Sequence, residues 1–339
     1  MAGSIRTLAV QYFQLVDPPQ LALPPGNVLV EPAVQQALYE HMFDETLTPL
    51  PPTTYRTRVL KQILARIEES ITDPEEDEIL DTLMDSWGNL VIQPKPSALQ
   101  QAQQLSHIKY TAPLQSTPIT ERTITILESR GLILSGGTTG NRTWEAALHL
   151  GSFLASPAGE ALVHGKRVIE LGAGTGFLSL FCARHLGVKG IVATDREPFL
   201  IENMRECARL NKTDGDLPFY PAVWNWGTAL EQTPEMGSMT EGEKLEFDVA
   251  LGADLIYDTD LVPLLISTVH DLFSNYGVRL FIIAATLRNE DTFRTFLTAC
   301  EDNDLTVEVL PFESTPAEEQ TGFFHSTSIP IRTYKISRA

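Results

Sequence analysis

The chain has 339 residues, of which 43% are hydrophobic and 20% charged, and its formal net charge is −19. That apolar share is enough to bury a sizeable core and excludes wholesale disorder, while a length at roughly 100–200 residues per domain implies two domains or one with an extension. Such an acidic balance is wrong for a general nucleic acid binder, because phosphates call for clustered Lys and Arg.

Three cysteines, Cys182, Cys207 and Cys300, show no CxxC pairing. They exclude a disulfide framework and a cysteine zinc site, and point to a reducing, cytoplasmic compartment. Seven histidines are scattered without HxH or HxxxH spacing, so no metal set is expected. No window approaches the roughly 18 apolar residues that cross a bilayer. The N-terminal stretch has one Arg, a short apolar run and then prolines, which reads as a first helix and not as a signal peptide.

Residues 1 to about 110 read as helices broken by prolines. Pro18, Pro19, Pro24 and Pro25 separate the first helix from one near Val34–Phe43. A Pro-Pro break and a Thr expected to cap then open an amphipathic helix, with Val59, Leu60, Ile63, Leu64 and Ile67 at helical spacing. Residues 66–85 hold nine acids against one Arg. They are expected to form a solvated loop and a helix whose Ile79, Leu80 and Leu83 pack on one side.

From about Thr117 the pattern changes. The run TITILESRGLILSG predicts two short strands around Ser129-Arg130-Gly131. After Trp144, apolar strands alternate with helical segments: 167–171, 190–195, 247–254 and 279–286 are the strand candidates. Short apolar runs of this kind belong to a doubly wound α/β sheet with buried parallel strands. Two last strands, near Thr306–Leu310 and Arg332–Ile336, are expected to pair antiparallel at its edge.

The strongest motif is VIELGAGTGF, a buried strand running into Gly172, Ala173, Gly174, Thr175 and Gly176 and then straight into a helix. Glycines let the backbone turn sharply and admit a ligand closely, and the helix start offers free N–H groups. Dinucleotides and S-adenosyl-L-methionine both use this construction, and a ligand-free glycine turn is the third reading. The dinucleotide pattern G-x-G-x-x-G fails because its last position is Phe177. Glu170 would repel a pyrophosphate and is expected instead to serve the methionine end of the sulfonium cofactor.

Asp195 ends the next strand, where a carboxylate can accept from ribose hydroxyls, cap the following helix, or do both. In AVWNWG, Trp224 and Trp226 are expected to point to opposite faces, with Trp226 on the ligand side and Trp224 in the core. Asp254 ends the 247–254 strand and Tyr257 lies just beyond it, at the carboxyl edge where ligands bind open α/β sheets. Tyr257 is equally readable as a core residue.

The set ELGAGTG, Asp195, Trp-Asn-Trp-Gly and Asp-Leu-Ile-Tyr resembles the seven-strand protein-lysine methyltransferases that carry a D-x-x-Y motif. The segment 132–154 and the stretch LPPTTYRTRVLKQIL are similar to the elongation factor 2 lysine methyltransferase group, with its extra N-terminal domain. The resemblance implies an α/β fold: a Rossmann-like seven-stranded methyltransferase sheet with helices on both faces, preceded by a smaller, mainly helical domain and a β-hairpin. It implies a helical substrate-recognition region over 1–115 and a catalytic domain over 116–339.

By position it implies S-adenosyl-L-methionine contacts at Trp144, Gly172, Ala173, Gly174, Asp195, Trp226 and Ala253. Asp254 and Tyr257 match the pair that shapes the lysine site. The implied partner is a protein substrate, elongation factor 2, met by a monomer with no membrane or direct nucleic acid contact. Asn225 departs from the Asp that many relatives carry, and Arg142 stands where the subgroup varies and has no assigned role. On this reading Asp254 positions the entering ammonium, since a carboxylate favours the charged form and does not deprotonate it.

Overall fold

The computed structural model describes residues 3–338 apart from 74, 76, 98–99, 101–103, 115–120, 130, 132–137, 212–216 and 242–243. The chain divides into two compact units, Met1–Thr111 with Ser129–Leu132, and Ala112–Glu128 with Ile133–Ala339.

The first unit contains α1 (Gly3–Phe13), α2 (Gly26–Leu29), α3 (Pro32–Leu38), α4 (Thr53–Glu68), α5 (Asp81–Val91) and the strand β1 (Ser106–Thr111). The five apolar positions of α4 are all buried and join Leu8, Tyr12, Leu38, Phe43 and Leu83 in one cluster. Spacing of three and four residues places them on one helical face, which is why this helix forms the hub. The expected Thr cap is not used. Pro52 takes the capping position, and its carbonyl accepts the first helical bonds from Tyr55 and Arg56.

The acidic segment also differs from expectation, because α5 begins only at Asp81 and Leu80 is extended. The buried Gln35 amide explains this. It accepts from Leu80 N at 2.8 Å and donates to Glu78 O at 2.9 Å, satisfying backbone groups that a helix would have used. Only Leu83 of the three expected apolar residues packs from within the helix.

The second unit opens with β2 (Thr123–Glu128), the first half of the expected hairpin; the second half lies outside the described residues. Then follow α6 (Glu145–Ala155), α7 (Pro157–Val163), β3 (Arg167–Leu171), α8 (Phe177–His185), β4 (Gly190–Asp195), α9 (Pro198–Leu210), β5 (Phe219–Val223), β6 (Val249–Ala253), α10 (Val262–Asn275), β7 (Leu280–Thr286), α11 (Glu290–Glu301), β8 (Leu305–Val309) and β9 (Ile331–Arg338).

Seven of these strands form one sheet in the order β8-β9-β7-β6-β3-β4-β5. The pairs among β3 to β7 are parallel. β9 inserts antiparallel against β7, with Tyr334 opposite Ile283, and β8 pairs antiparallel with β9 at the edge.

Both faces of the parallel strands are covered, so β3, β4, β6 and β7 are largely apolar and buried along most of their length. Ile169, Leu171, Val192, Phe281 and Ile283 form a core with Leu265, Val269 and Leu272 of α10 and Phe296 of α11. α6 and α8 lie on the other face, in contact with β7 and β4 respectively. Strand order reverses between β3 and β6, so the crevice outside their carboxyl ends is where such a sheet takes a ligand.

Candidate active site

The turn after β3 occupies that crevice. Gly172, Gly174 and Gly176 all have left-handed backbones, with φ of 58°, 53° and 77°. A side chain would be strained in that region, and there is no room for one at the first two. A Cβ on Gly172 would stand 2.6 Å from Leu255 Cδ2, and one on Gly174 would stand 3.1 Å from the Gly140 carbonyl oxygen. The turn is pinned to β4 by Ala173 N donating to Thr194 O at 2.8 Å. Thr175 and Thr143 share a hydroxyl bond of 2.8 Å, which ties the turn to the segment before α6.

Glu170 is buried and bonded within the fold. Its carboxylate is 3% exposed and accepts from Ser179 N at 3.0 Å and from the Ser179 hydroxyl. Burial pushes its pKa up to about 8, against the opposing pull of those two bonds. It therefore anchors the first turn of α8 to β3. Phe177, which breaks the dinucleotide pattern, is buried against Phe181 and Phe323.

Asp195 stands at the end of β4 and joins two elements. One oxygen accepts from Gly174 N at 3.0 Å and the other from Glu197 N at 3.2 Å, in the turn that leads into α9. Burial raises its pKa above the ordinary carboxylate value, and those backbone bonds pull it back.

The strand β5 stops at Val223, so both tryptophans lie in the turn beyond it. Residues two apart on a strand share a face, and here both rings meet one core, Trp224 within it and Trp226 packed against it. Trp224 is 3% exposed and donates its indole N–H to Thr228 O at 2.9 Å. Trp226 is half-buried beside the glycine turn, with Cζ2 3.7 Å from where a Gly172 Cβ would be.

Ala253 ends β6 opposite Ala284, and Asp254 follows with a left-handed φ of 52°. Its carboxylate accepts from Thr286 N at 2.8 Å, from the Thr286 hydroxyl at 3.0 Å and from Arg288 Nη1 at 3.2 Å. Tyr257 is 60% exposed, so it is not a core residue. Partial burial raises its hydroxyl pKa, and Arg196 opposes this while Asp258 and Asp195 add to it. It thus lies in the electrostatic field of the β4 end. Asp258 caps the short turn Thr259–Leu261 by accepting from Asp260 N at 3.0 Å.

Trp144 caps α6 and donates its indole N–H to Thr139 O at 3.0 Å. The guanidinium groups of Arg142 and Arg288 lie 5.1 and 5.3 Å from its ring centre. Glu145 holds both: 2.8 Å to Arg288 and 3.5 Å to Arg142. Arg288, Glu145 and Thr286 were not expected from the sequence. The signal available for Arg288 was its place just beyond the last parallel strand, on the same edge as Asp195 and Asp254.

A doubly wound sheet with a glycine turn and a carboxylate at the ends of its first two parallel strands is the arrangement that nucleoside-binding α/β enzymes use at this edge. A family described as lysine methyltransferase matches residues 122–303. Protein-lysine N-methyltransferase EFM3 of Chaetomium thermophilum is 41% identical over 329 residues, covering 97% of this chain and 96% of that protein. The EFM3 of Saccharomyces cerevisiae is 26% identical over 298 residues, 81% of each chain. Protein-lysine N-methyltransferase EEF2KMT of Bos taurus is 24% identical over 305 residues, 85% of this chain and 81% of that one. The chain belongs to the lysine methyltransferase family.

Proposed function

We propose that this chain transfers a methyl group from S-adenosyl-L-methionine to a lysine of elongation factor 2. The observation that carries the reading is a single carboxyl edge that gathers the Gly172–Gly176 turn, Asp195, Trp226 and Asp254 around the switch point. The relative named EEF2KMT supports the choice of elongation factor 2.

The donor groups suit an adenosyl sulfonium. Asp195 keeps lone pairs for two ribose hydroxyls after its two backbone bonds. Gly172 and Gly174 carry no Cβ of their own, so the backbone of the turn can approach a ligand closely. Trp226 and Trp144 supply half-buried aromatic walls, and Ala253 ends β6 immediately before Asp254. When bound, the cofactor supplies a methyl already activated for in-line displacement, so the protein's work is alignment.

Asp254 orients the acceptor nitrogen. Lysine has an ordinary pKa near 10.4, so it arrives as an ammonium that a carboxylate binds. Thr286 holds that carboxylate rigidly through both its N–H and its hydroxyl. Tyr257 borders the acceptor with an exposed ring that can meet a cation. The helical first unit supplies contacts with the intact substrate, because a lysine pocket alone offers little selectivity.

A cytoplasmic setting suits three buried, unpaired cysteines. Among the described residues no helix is long and apolar enough to cross a membrane.

Incubation of the purified protein with labelled S-adenosyl-L-methionine and purified elongation factor 2, followed by peptide mass spectrometry, tests the reading. Methyl groups on a lysine of elongation factor 2 are expected. Donor binding without transfer to that protein would remove the substrate assignment.

A further inference from the structure

We propose that Arg288 is a resident cation of the acceptor site: it neutralises Asp254 while the site is empty and yields that carboxylate to the incoming lysine ammonium. The inference rests on the reading that Asp254 faces the acceptor nitrogen.

Arg288 bridges two carboxylates and lies against one ring. Its Nη1 is 3.2 Å from Asp254 and its Nη2 is 2.8 Å from Glu145. Its guanidinium carbon is 5.3 Å from the centre of the Trp144 ring. The bond to Asp254 is the longer of the two.

The two partners differ in what they need from Arg288. Asp254 is 11% exposed in its side chain, and Thr286 keeps it in place through two further bonds. It can exchange one cation for another without moving. Glu145 retains Arg288 after the exchange, and its second cation, Arg142, sits farther off at 3.5 Å.

Arg288 itself is 40% exposed in its side chain. Ion pairs at that exposure are weak and rearrange readily. A guanidinium also stays charged at any working pH, so an empty Asp254 is always screened. The consequence is selectivity. A ligand must bring its own cation to displace Arg288, and a neutral side chain cannot.

Two measurements test this. In the first, Arg288→Met removes the competitor and keeps an unbranched apolar stem. Its KM for elongation factor 2 should fall by about three- to fivefold, the range set by one exposed ion pair. An unchanged or raised KM overturns the proposal, since damage to the site raises KM and only loss of a competitor lowers it.

In the second, the side-chain N–H signals of 15N-labelled arginine are recorded while N-acetyl-lysine methylamide is added, with Arg288→Lys assigning the signal. The Arg288 resonance should shift in the wild type and stay fixed in Asp254→Asn. No shift in the wild type overturns the proposal. If the wild type binds the donor but does not methylate elongation factor 2, the substrate assignment fails, and the second measurement alone decides the role of Arg288.

Discussion

The Asp254 carboxylate takes the Thr286 N–H on one oxygen at 2.8 Å and the Thr286 hydroxyl on the other at 3.0 Å, which ties the end of β6 to the end of β7. Asp254 N also donates to Ala284 O at 2.9 Å. These bonds offset the cost of a left-handed backbone, about 1–2 kcal/mol for an L residue and least for Asp and Asn. The Asp254 carboxylate is thus fixed by its neighbour strand.

Asp254→Asn tests that acid with least damage, because Asn tolerates the same backbone and still accepts from Thr286 N. Methyl transfer should fall at least about tenfold, as loss of a charge-assisted bond of about 1.5–3 kcal/mol implies. Donor affinity by titration calorimetry should stay within about twofold of the wild type on the same argument. Equal losses in donor binding and transfer would place Asp254 in the cofactor pocket and not at the acceptor.

Glu170 makes stability depend on pH. Its folded pKa of about 8 lies above the ordinary 4.5, so the folded chain holds the proton more tightly than the unfolded one. The stability this confers is present in full below pH 4.5 and is lost as pH rises to about 8. Glu170→Gln keeps an acceptor for Ser179 and cannot ionise. Its melting temperature should gain on the wild type through that window and level off above it, with a slope of at most about 1.4 kcal/mol per pH unit. A constant difference across the window would mean that the carboxyl is not raised.

The two tryptophans should separate stability from binding. Trp224→Ala empties a core position and should cost about 3–5 kcal/mol in urea unfolding. Trp226→Ala, half-buried beside Gly172, should cost much less stability and weaken donor binding at least about fivefold, as loss of one aromatic contact implies. Reversal of the two phenotypes would place Trp224 on the ligand side.

His149 acts in the opposite pH direction to Glu170. Burial, with a smaller push from His325, lowers its pKa from 6.5 to about 4. It is held neutral between the Ser314 hydroxyl at 2.7 Å and the Thr333 hydroxyl at 3.1 Å. Its contribution is complete above pH 6.5 and fades as pH falls toward 4. His149→Asn should be about 1–3 kcal/mol less stable at pH 7, and the gap should narrow by pH 5. A gap that does not change between the two pH values would show that the pKa of His149 is not lowered in the fold.

Much of this fold could be read along the chain. The strands at 167–171 and 190–195 fall where short, largely apolar runs predict them, because a strand covered on both faces favours apolar residues. The glycines at 172, 174 and 176 were legible because only glycine takes a left-handed turn without strain. Other features depend on partners distant in sequence. Gln35 holds Leu80 out of a helix from 45 residues away, and Ser179 takes up the buried Glu170 carboxylate. Arg288 meets Glu145 and Trp144 across more than 140 residues. Local pattern reports burial and backbone conformation, since each residue carries those preferences itself. Which charge meets which is set when the sheet assembles its strands out of chain order, and that depends on through-space distance.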